Sequence, residues 1–186
     1  MKLYFLLLVP VLACGADPAR MTRDLEEVGR IAAVMVDGDL CERIVTPRAL
    51  ERMRKPDARD PSVAGDNYDV DDQAFIRIKK TLRRLSLLVD FPCDANLWMP
   101  LGTGPPRIHI VVRNRNEMSQ FWPWGQLDQE MIPVMDKVLR TGQRITVKEK
   151  PNWISVLAPV RNSQGDIVGL VEVAAQINPN PRENVK

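Results

Sequence analysis

Apolar residues recur at intervals of three and four in two stretches of the chain, which is the spacing of one helix face. The first stretch follows Asp17-Pro18, a pair typical of a helix start, and the second follows Asp71-Asp72. The apolar positions of the first helix are Met21, Leu25, Val28, Ile31 or Ala32, and Met35. Those of the second are Phe75, Ile78, Leu82, Leu85 and Val89. Each helix is expected to bury one face.

Alternation of apolar and polar residues replaces the helical spacing after Pro92-Cys93 and predicts β-strands. The predicted strands span 96–101, 107–113, 144–148, 152–160 and 167–176. One further helix is predicted over 127–139, beginning properly near Pro133, with Gly142 as its C-cap. Helices followed by mostly antiparallel strands indicate an α+β fold.

Composition limits the classes of function. The chain has 186 residues, of which 45% are hydrophobic and 27% charged, as in a soluble single domain. The net charge of +2, from 26 basic and 24 acidic residues, excludes a nucleic-acid binder held by an excess of cations. The basic residues between Arg77 and Arg84 are interpreted as the solvated back of an amphipathic helix.

The N-terminus has the pattern of an export signal. Lys2 precedes an apolar run over 3–13, which is too short to span a bilayer comfortably but has the length of a signal-peptide core. Residues 11–15, Val-Leu-Ala-Cys-Gly, resemble the lipobox of bacterial lipoproteins, although Leu12 is bulkier than usual. The resemblance implies acylation of Cys14, for example with palmitate. An ordinary cleaved signal, or a buried hydrophobic strand, is the alternative.

These features predict a signal peptide over 1–13, a lipidated cysteine and tether over 14–19, a domain over 20–178 and a tail over 179–186. We expect an exported protein, anchored by lipid to a bacterial envelope membrane and facing the periplasm or the exterior. Because that compartment permits disulfides, Cys41 and Cys93 are predicted either to form a bridge or to be two buried thiols.

Several segments together resemble Cache domains, the PAS-like extracytoplasmic sensor domains of bacterial receptors. The stretch 153–173, with Ala-Pro-Val, a polar Gly-Asp turn and Val-Gly-Leu-Val, is similar to the closing hairpin of that family. Segments 36–39, 72–85 and 138–142 are similar to its first helix end, its second helix and the Leu-x-Thr-Gly helix end. The resemblance extends over most of residues 20–177.

The resemblance implies a long N-terminal helix and a second helix packed on a five-stranded antiparallel sheet, with a small ligand bound on the opposite face. Candidate ligand contacts are tryptophans that form walls and polar residues within apolar strands. They are Trp98, Arg107, His109, Arg113, Trp122, Trp124, Ser155 and Glu172. Alternation places Arg107, His109 and Arg113 on one strand face, where they are expected to pair with a small carboxylate. Each residue has a purely structural alternative, in core packing or at the solvated surface.

The expected function is a lipid-anchored small-molecule-binding module in signal transduction, acting through or delivering to a membrane receptor or kinase partner. The alternative is a structural or assembly lipoprotein that uses the same fold as a protein-binding surface. An enzyme is not expected, because the sequence lacks a nucleophile–base motif and has a single histidine. Neither a cofactor nor a metal site is predicted, since there is no Cys/His cluster. An amino-acid ligand is not implied, because the aromatic-Arg-aromatic-Asp signature of amino-acid receptors is missing.

Overall fold

The first helix, α1, spans Pro18–Met35 in the computed structural model, which describes residues 17–47, 72–100, 107–115, 128–148 and 152–177. Asp17 caps it as predicted: its Oδ1 accepts a hydrogen bond from the Ala19 amide at 3.0 Å. The predicted apolar face is buried up to Ala32, but Met35 is 59% exposed. Val36 is buried in its place, because the chain leaves the helix there in an extended conformation.

Two more helices join α1 in one layer. Helix α2 spans Gly38–Ile44 and is capped by Asp37, whose Oδ1 accepts from the Leu40 amide at 3.2 Å. Helix α3 spans Asp72–Leu85, with Ala74, Ile78, Leu82 and Leu85 buried along one side. Most of its basic residues are exposed, which confirms the solvated back of this amphipathic helix.

The sheet is antiparallel, and its strands are β1 Asp94–Met99, β2 Arg107–Arg113, β3 Asp128–Glu130, β4 Ile145–Val147, β5 Trp153–Arg161 and β6 Ile167–Gln176. Their order in space is β3-β2-β1-β6-β5-β4. The five predicted strands are therefore confirmed, and the α+β fold with them. The short edge strand β3 is additional.

Part of the helix predicted over 127–139 is wrong. Residues 128–130 form β3, and helix α4 begins only at Pro133 and ends at Thr141. Proline at the first helical position explains this start, since its missing amide proton is not needed there. Gly142 follows as the predicted C-cap, in a left-handed conformation with φ of 66°.

Helices pack on both faces of the sheet and enclose two apolar clusters. Helices α1 and α2 contact β5 and β6, while α3 contacts β1 and β2. The larger cluster lies in this layer, around Leu25, Ile78, Leu97, Val156 and Val173. Helix α4 covers part of the other face, where the smaller cluster forms.

The predicted bridge between Cys41 and Cys93 is not formed. Both cysteines are free thiols, and both belong to the cluster beneath α2 and α3. Burial raises the pKa of the Cys41 thiol, with a further contribution from Asp37 and Glu42, and it raises the pKa of Cys93 to about 12. Because the thiolate is the species that exchanges, burial keeps both groups unreactive.

Within the described ranges, no helix is both long and apolar enough to cross a membrane.

Candidate functional site

A cavity of about 520 Å³ opens on the sheet face opposite α1. Its floor is formed by β1, β5 and β6, and the start of α4 forms one wall. Eight of the twelve described lining residues are apolar and four are polar, a combination found in small-molecule sites of this size. Its residues are Asp94, Asn96, Trp98, Ile132, Val134, Met135, Val147, Trp153, Ser155, Leu157, Glu172 and Ala174.

Strand alternation places the polar residues of the floor. On the central strand β6, Val171 and Val173 point into the helix layer, and Glu172 between them points to the cavity. The register sets Asn96 on β1 beside Glu172 on one side and Leu157 on β5 beside it on the other. Glu172 therefore lies in the middle of the sheet rather than at a solvated edge.

Three neutral donors hold the Glu172 carboxyl group. Its Oε2 accepts from Trp98 Nε1 at 2.9 Å and from Asn96 Nδ2 at 3.3 Å, and its Oε1 accepts from Ser155 Oγ at 3.1 Å. These contacts join the three strands of the floor at one side chain. They fix the position of the acid but bring no positive charge to it.

A second acid lies at the start of β1, and it is already paired. Asp94 accepts two hydrogen bonds from Arg115, to Oδ1 at 3.1 Å and to Oδ2 at 2.7 Å. This is the two-pronged geometry that a guanidinium offers a carboxylate. The two acids of the lining thus differ, because Asp94 has a cationic partner and Glu172 has three neutral ones.

Comparison with known proteins adds little to this geometry. No protein-family model and no curated protein matches the chain. An extracellular ligand binding receptor from Desulfohalobium retbaense DSM5692 is similar to it with a TM-score of 0.41 and 15% identity. The match covers 87% of this chain and 26% of the receptor, so the chain spans about a quarter of that protein's length. A likeness at this level does not establish a function.

Three of the candidate contacts, Trp98, Ser155 and Glu172, meet at the floor of the cavity. The shared face predicted for Arg107, His109 and Arg113 is wrong. A bulge interrupts the pairing of β1 with β2: Leu97 lies opposite Val112, but Trp98 lies opposite Ile110. The extra residue of β2 reverses the alternation along this strand.

The bulge separates the three basic residues. His109 lies opposite Met99, whose side chain belongs to the helix-layer cluster, and Arg107 shares that face by alternation. Arg113 lies opposite Asn96, on the cavity side. None of the three lines the cavity in the described part of the protein. Trp122, Trp124 and Cys14 lie outside the described residues.

Asn96, Asp94 and Trp153 complete the site, together with the start of α4. Asn96 and Asp94 are not predicted from the sequence as site residues. Asn96 is 7% exposed, and its only signal in the sequence is that it is a polar residue within a predicted apolar strand. The described residues contain no group of three or more metal-ligating side chains close enough to hold a metal ion.

Proposed function

We propose that this chain is an exported, lipid-anchored module of the Cache type that binds a small molecule. The observation that carries the proposal is the cavity of about 520 Å³ on the sheet face opposite α1. This is the face on which the resemblance of the sequence to Cache domains implies a ligand. The volume falls within the roughly 300–1,000 Å³ common among ligand pockets.

The cavity also favours a binding module over an assembly lipoprotein. A fold that serves only as a protein-binding surface gains nothing from a deep cavity in its sheet face, because the side chains of the cavity walls lose packing contacts. Here the open space is bordered by Trp98 and Trp153 and contains an acid held by three donors. Apolar walls with a few fixed polar groups are the usual construction of a ligand site.

A thermal-shift screen of small metabolites against the full-length purified protein tests the proposal. A ligand that binds the folded state raises the melting temperature in proportion to the logarithm of its concentration. The variant Ala174→Leu places a larger side chain in the cavity floor, where Ala174 is 5% exposed. Ala19→Leu, at an exposed position in the first turn of α1, adds the same atoms on the other face.

Compounds that stabilise the wild type and Ala19→Leu but not Ala174→Leu would support binding in the cavity. Equal stabilisation of both variants would place the binding elsewhere and overturn the proposal. A screen in which no compound shifts the melting temperature would also overturn it.

We further propose that acylated Cys14 anchors the protein, with residues 1–13 removed on export. Labelled palmitate should enter the wild-type protein and the control variant Cys93→Ser, but not Cys14→Ser, which should leave the membrane fraction. Equal labelling of all three proteins would contradict this.

Signalling through a separate receptor or kinase predicts that the protein co-purifies with an envelope membrane protein. If the bound ligand controls this association, Ala174→Leu should change the amount of partner that co-purifies.

A further inference from the structure

We infer that the cavity selects ligands that carry a positively charged amine or ammonium group, and that Glu172 is the residue that binds it. This inference rests on the proposed function, since it names the ligand class of the same cavity. It replaces the small carboxylate expected from the sequence. Three observations at the cavity floor support it.

The first observation is charge. The described residues that line the cavity include two acids, and no lysine, arginine or histidine. Arg115 neutralises Asp94, but the partners of Glu172 are Trp98, Asn96 and Ser155, all neutral. A carboxylate without a cationic partner in a partly enclosed site lowers the energy of a bound cation and raises that of a bound anion.

The second observation is the balance of donors and acceptors. The indole proton of Trp98 and the hydroxyl proton of Ser155 are both directed to Glu172, so neither is available to a ligand. The buried Oδ1 of Asn96 accepts no hydrogen bond in the described structure. A carboxylate has about four lone-pair sites, and three are used here. The remaining polar capacity of the floor is mostly acceptor, which suits a ligand that donates.

The third observation is aromatic. Trp98 lines the cavity beside Glu172, and Trp153 lines it from β5. The face of an indole attracts a cation within about 6 Å, more strongly than the other aromatic rings do. A cavity that holds both an acid and two tryptophans in its lining is therefore suited to an ammonium group attached to an apolar body, with the apolar residues at the start of α4 receiving the body.

The carboxylate expectation required Arg107, His109 and Arg113 to face the ligand together. The bulge in β1 and β2 removes that arrangement, and only Arg113 remains on the cavity side, separated from Glu172 by Asn96 in the row across the strands. An anionic ligand above this row would bring acceptor oxygens towards Glu172, which costs free energy unless a cation intervenes.

Three probes of matched shape test the charge preference: 2-phenylethylammonium, 3-phenylpropionate and 2-phenylethanol. Isothermal titration calorimetry with the full-length protein should give the tightest binding for the ammonium probe, by about tenfold or more over the alcohol. Tighter binding of the phenylpropionate or the alcohol would overturn the ligand class while leaving the binding function intact. Absence of binding by all three probes, with hits of other chemistry in the metabolite screen, would also overturn the ligand class alone.

The variant Glu172→Gln isolates the charge. Its amide oxygen can take the place of Oε2 and accept from Trp98 and Asn96, and its amide nitrogen can donate to the Ser155 hydroxyl. The ammonium probe should bind this variant at least about tenfold more weakly, and the alcohol should bind it unchanged. Glu130→Gln is the matched control, since Glu130 is exposed on edge strand β3 and outside the cavity. Equal weakening in both variants would refute the role of Glu172.

Discussion

Gly38, in the first turn of α2, provides a test of how closely α2 packs against the hairpin of β5 and β6. Substitution by alanine there has two effects of opposite sign on stability, a gain in helix propensity and a steric overlap. Alanine is favoured over glycine in a helix by about 1 kcal/mol, so Gly38→Ala would stabilise an isolated helix. In the protein, however, the turn between β5 and β6 passes directly over this residue. A Cβ atom at position 38 would overlap the carbonyl group of Arg161 and would lie 2.6 Å from the backbone nitrogen of Asn162.

The cost of the steric overlap should exceed the gain in helix propensity. Both neighbours are backbone, so neither can rotate away, and the helix or the hairpin must shift. The same contact carries hydrogen bonds from Ser163 to Asp39, at 3.0 and 3.1 Å to Oδ1, which a shift would lengthen. Overpacking typically costs about 1–3 kcal/mol. Because both neighbours are backbone, we expect the upper end of that range, about 3 kcal/mol. After subtraction of the gain in helix propensity, Gly38→Ala should destabilise the protein by about 2 kcal/mol, a decrease in melting temperature of about 4–8 °C.

Urea unfolding monitored by tryptophan fluorescence measures this difference. Gly29→Ala is the comparison, because it makes the same change within α1 against side chains rather than backbone. Its Cβ would lie 2.7 Å from Val156 Cγ1 and 3.1 Å from Arg144 Cδ. Gly38→Ala should be the more destabilising of the two. A stability of Gly38→Ala equal to or above that of the wild type would refute the close approach of α2 to the hairpin.

Three further predictions concern the site, the thiols and a helix cap. Trp98→Phe keeps a ring in the cavity but removes the donor at 2.9 Å from Glu172, and urea unfolding should show a loss of about 1–2 kcal/mol. The folded state holds the Cys93 proton up to about pH 12, whereas the unfolded state loses it near pH 9. The free energy of unfolding should therefore fall as pH rises between these values, and it should fall less steeply in Cys93→Ala. Iodoacetamide at pH 8 should label Cys41 and Cys93 only after denaturation. Asp17→Ala removes the cap of α1 and should cost about 1 kcal/mol in thermal unfolding, and no change would show that the cap is dispensable.

The sequence by itself predicted most of the secondary structure, because element type is encoded locally. The spacing of Met21, Leu25, Val28 and Ala32 is that of one helix face, and these residues are buried as predicted. The boundaries set by Asp17-Pro18, Pro133 and Gly142 also agree, since each depends on the backbone chemistry of one or two residues. Strand β3 was missed because three residues carry too little pattern, and its pairing with β2 is a tertiary contact.

The site was predicted in part, for the same reason. Trp98, Ser155 and Glu172 are polar or aromatic residues within apolar strands, a property visible in the sequence. Their convergence on one carboxyl group was not visible, because it joins positions up to 76 residues apart. Asn96 is not predicted because its role depends on its position opposite Glu172 on the adjacent strand β6. Nothing in the local sequence of Asn96 indicates that neighbour.

Local pattern thus determined which segments are helices and strands, and which residue types carry candidate chemistry. Which of those residues share a face depends on how the strands pair in the folded protein. Strand alternation assigns faces reliably until one residue is inserted, and the extra residue of β2 opposite Leu97 and Trp98 reverses every face beyond it. The arrangement that suggested an anion site is thereby divided, and the acid of β6 remains at the cavity floor. A bulge that the sequence pattern does not reveal therefore takes Arg107 and His109 away from the sheet face on which Glu172 lies.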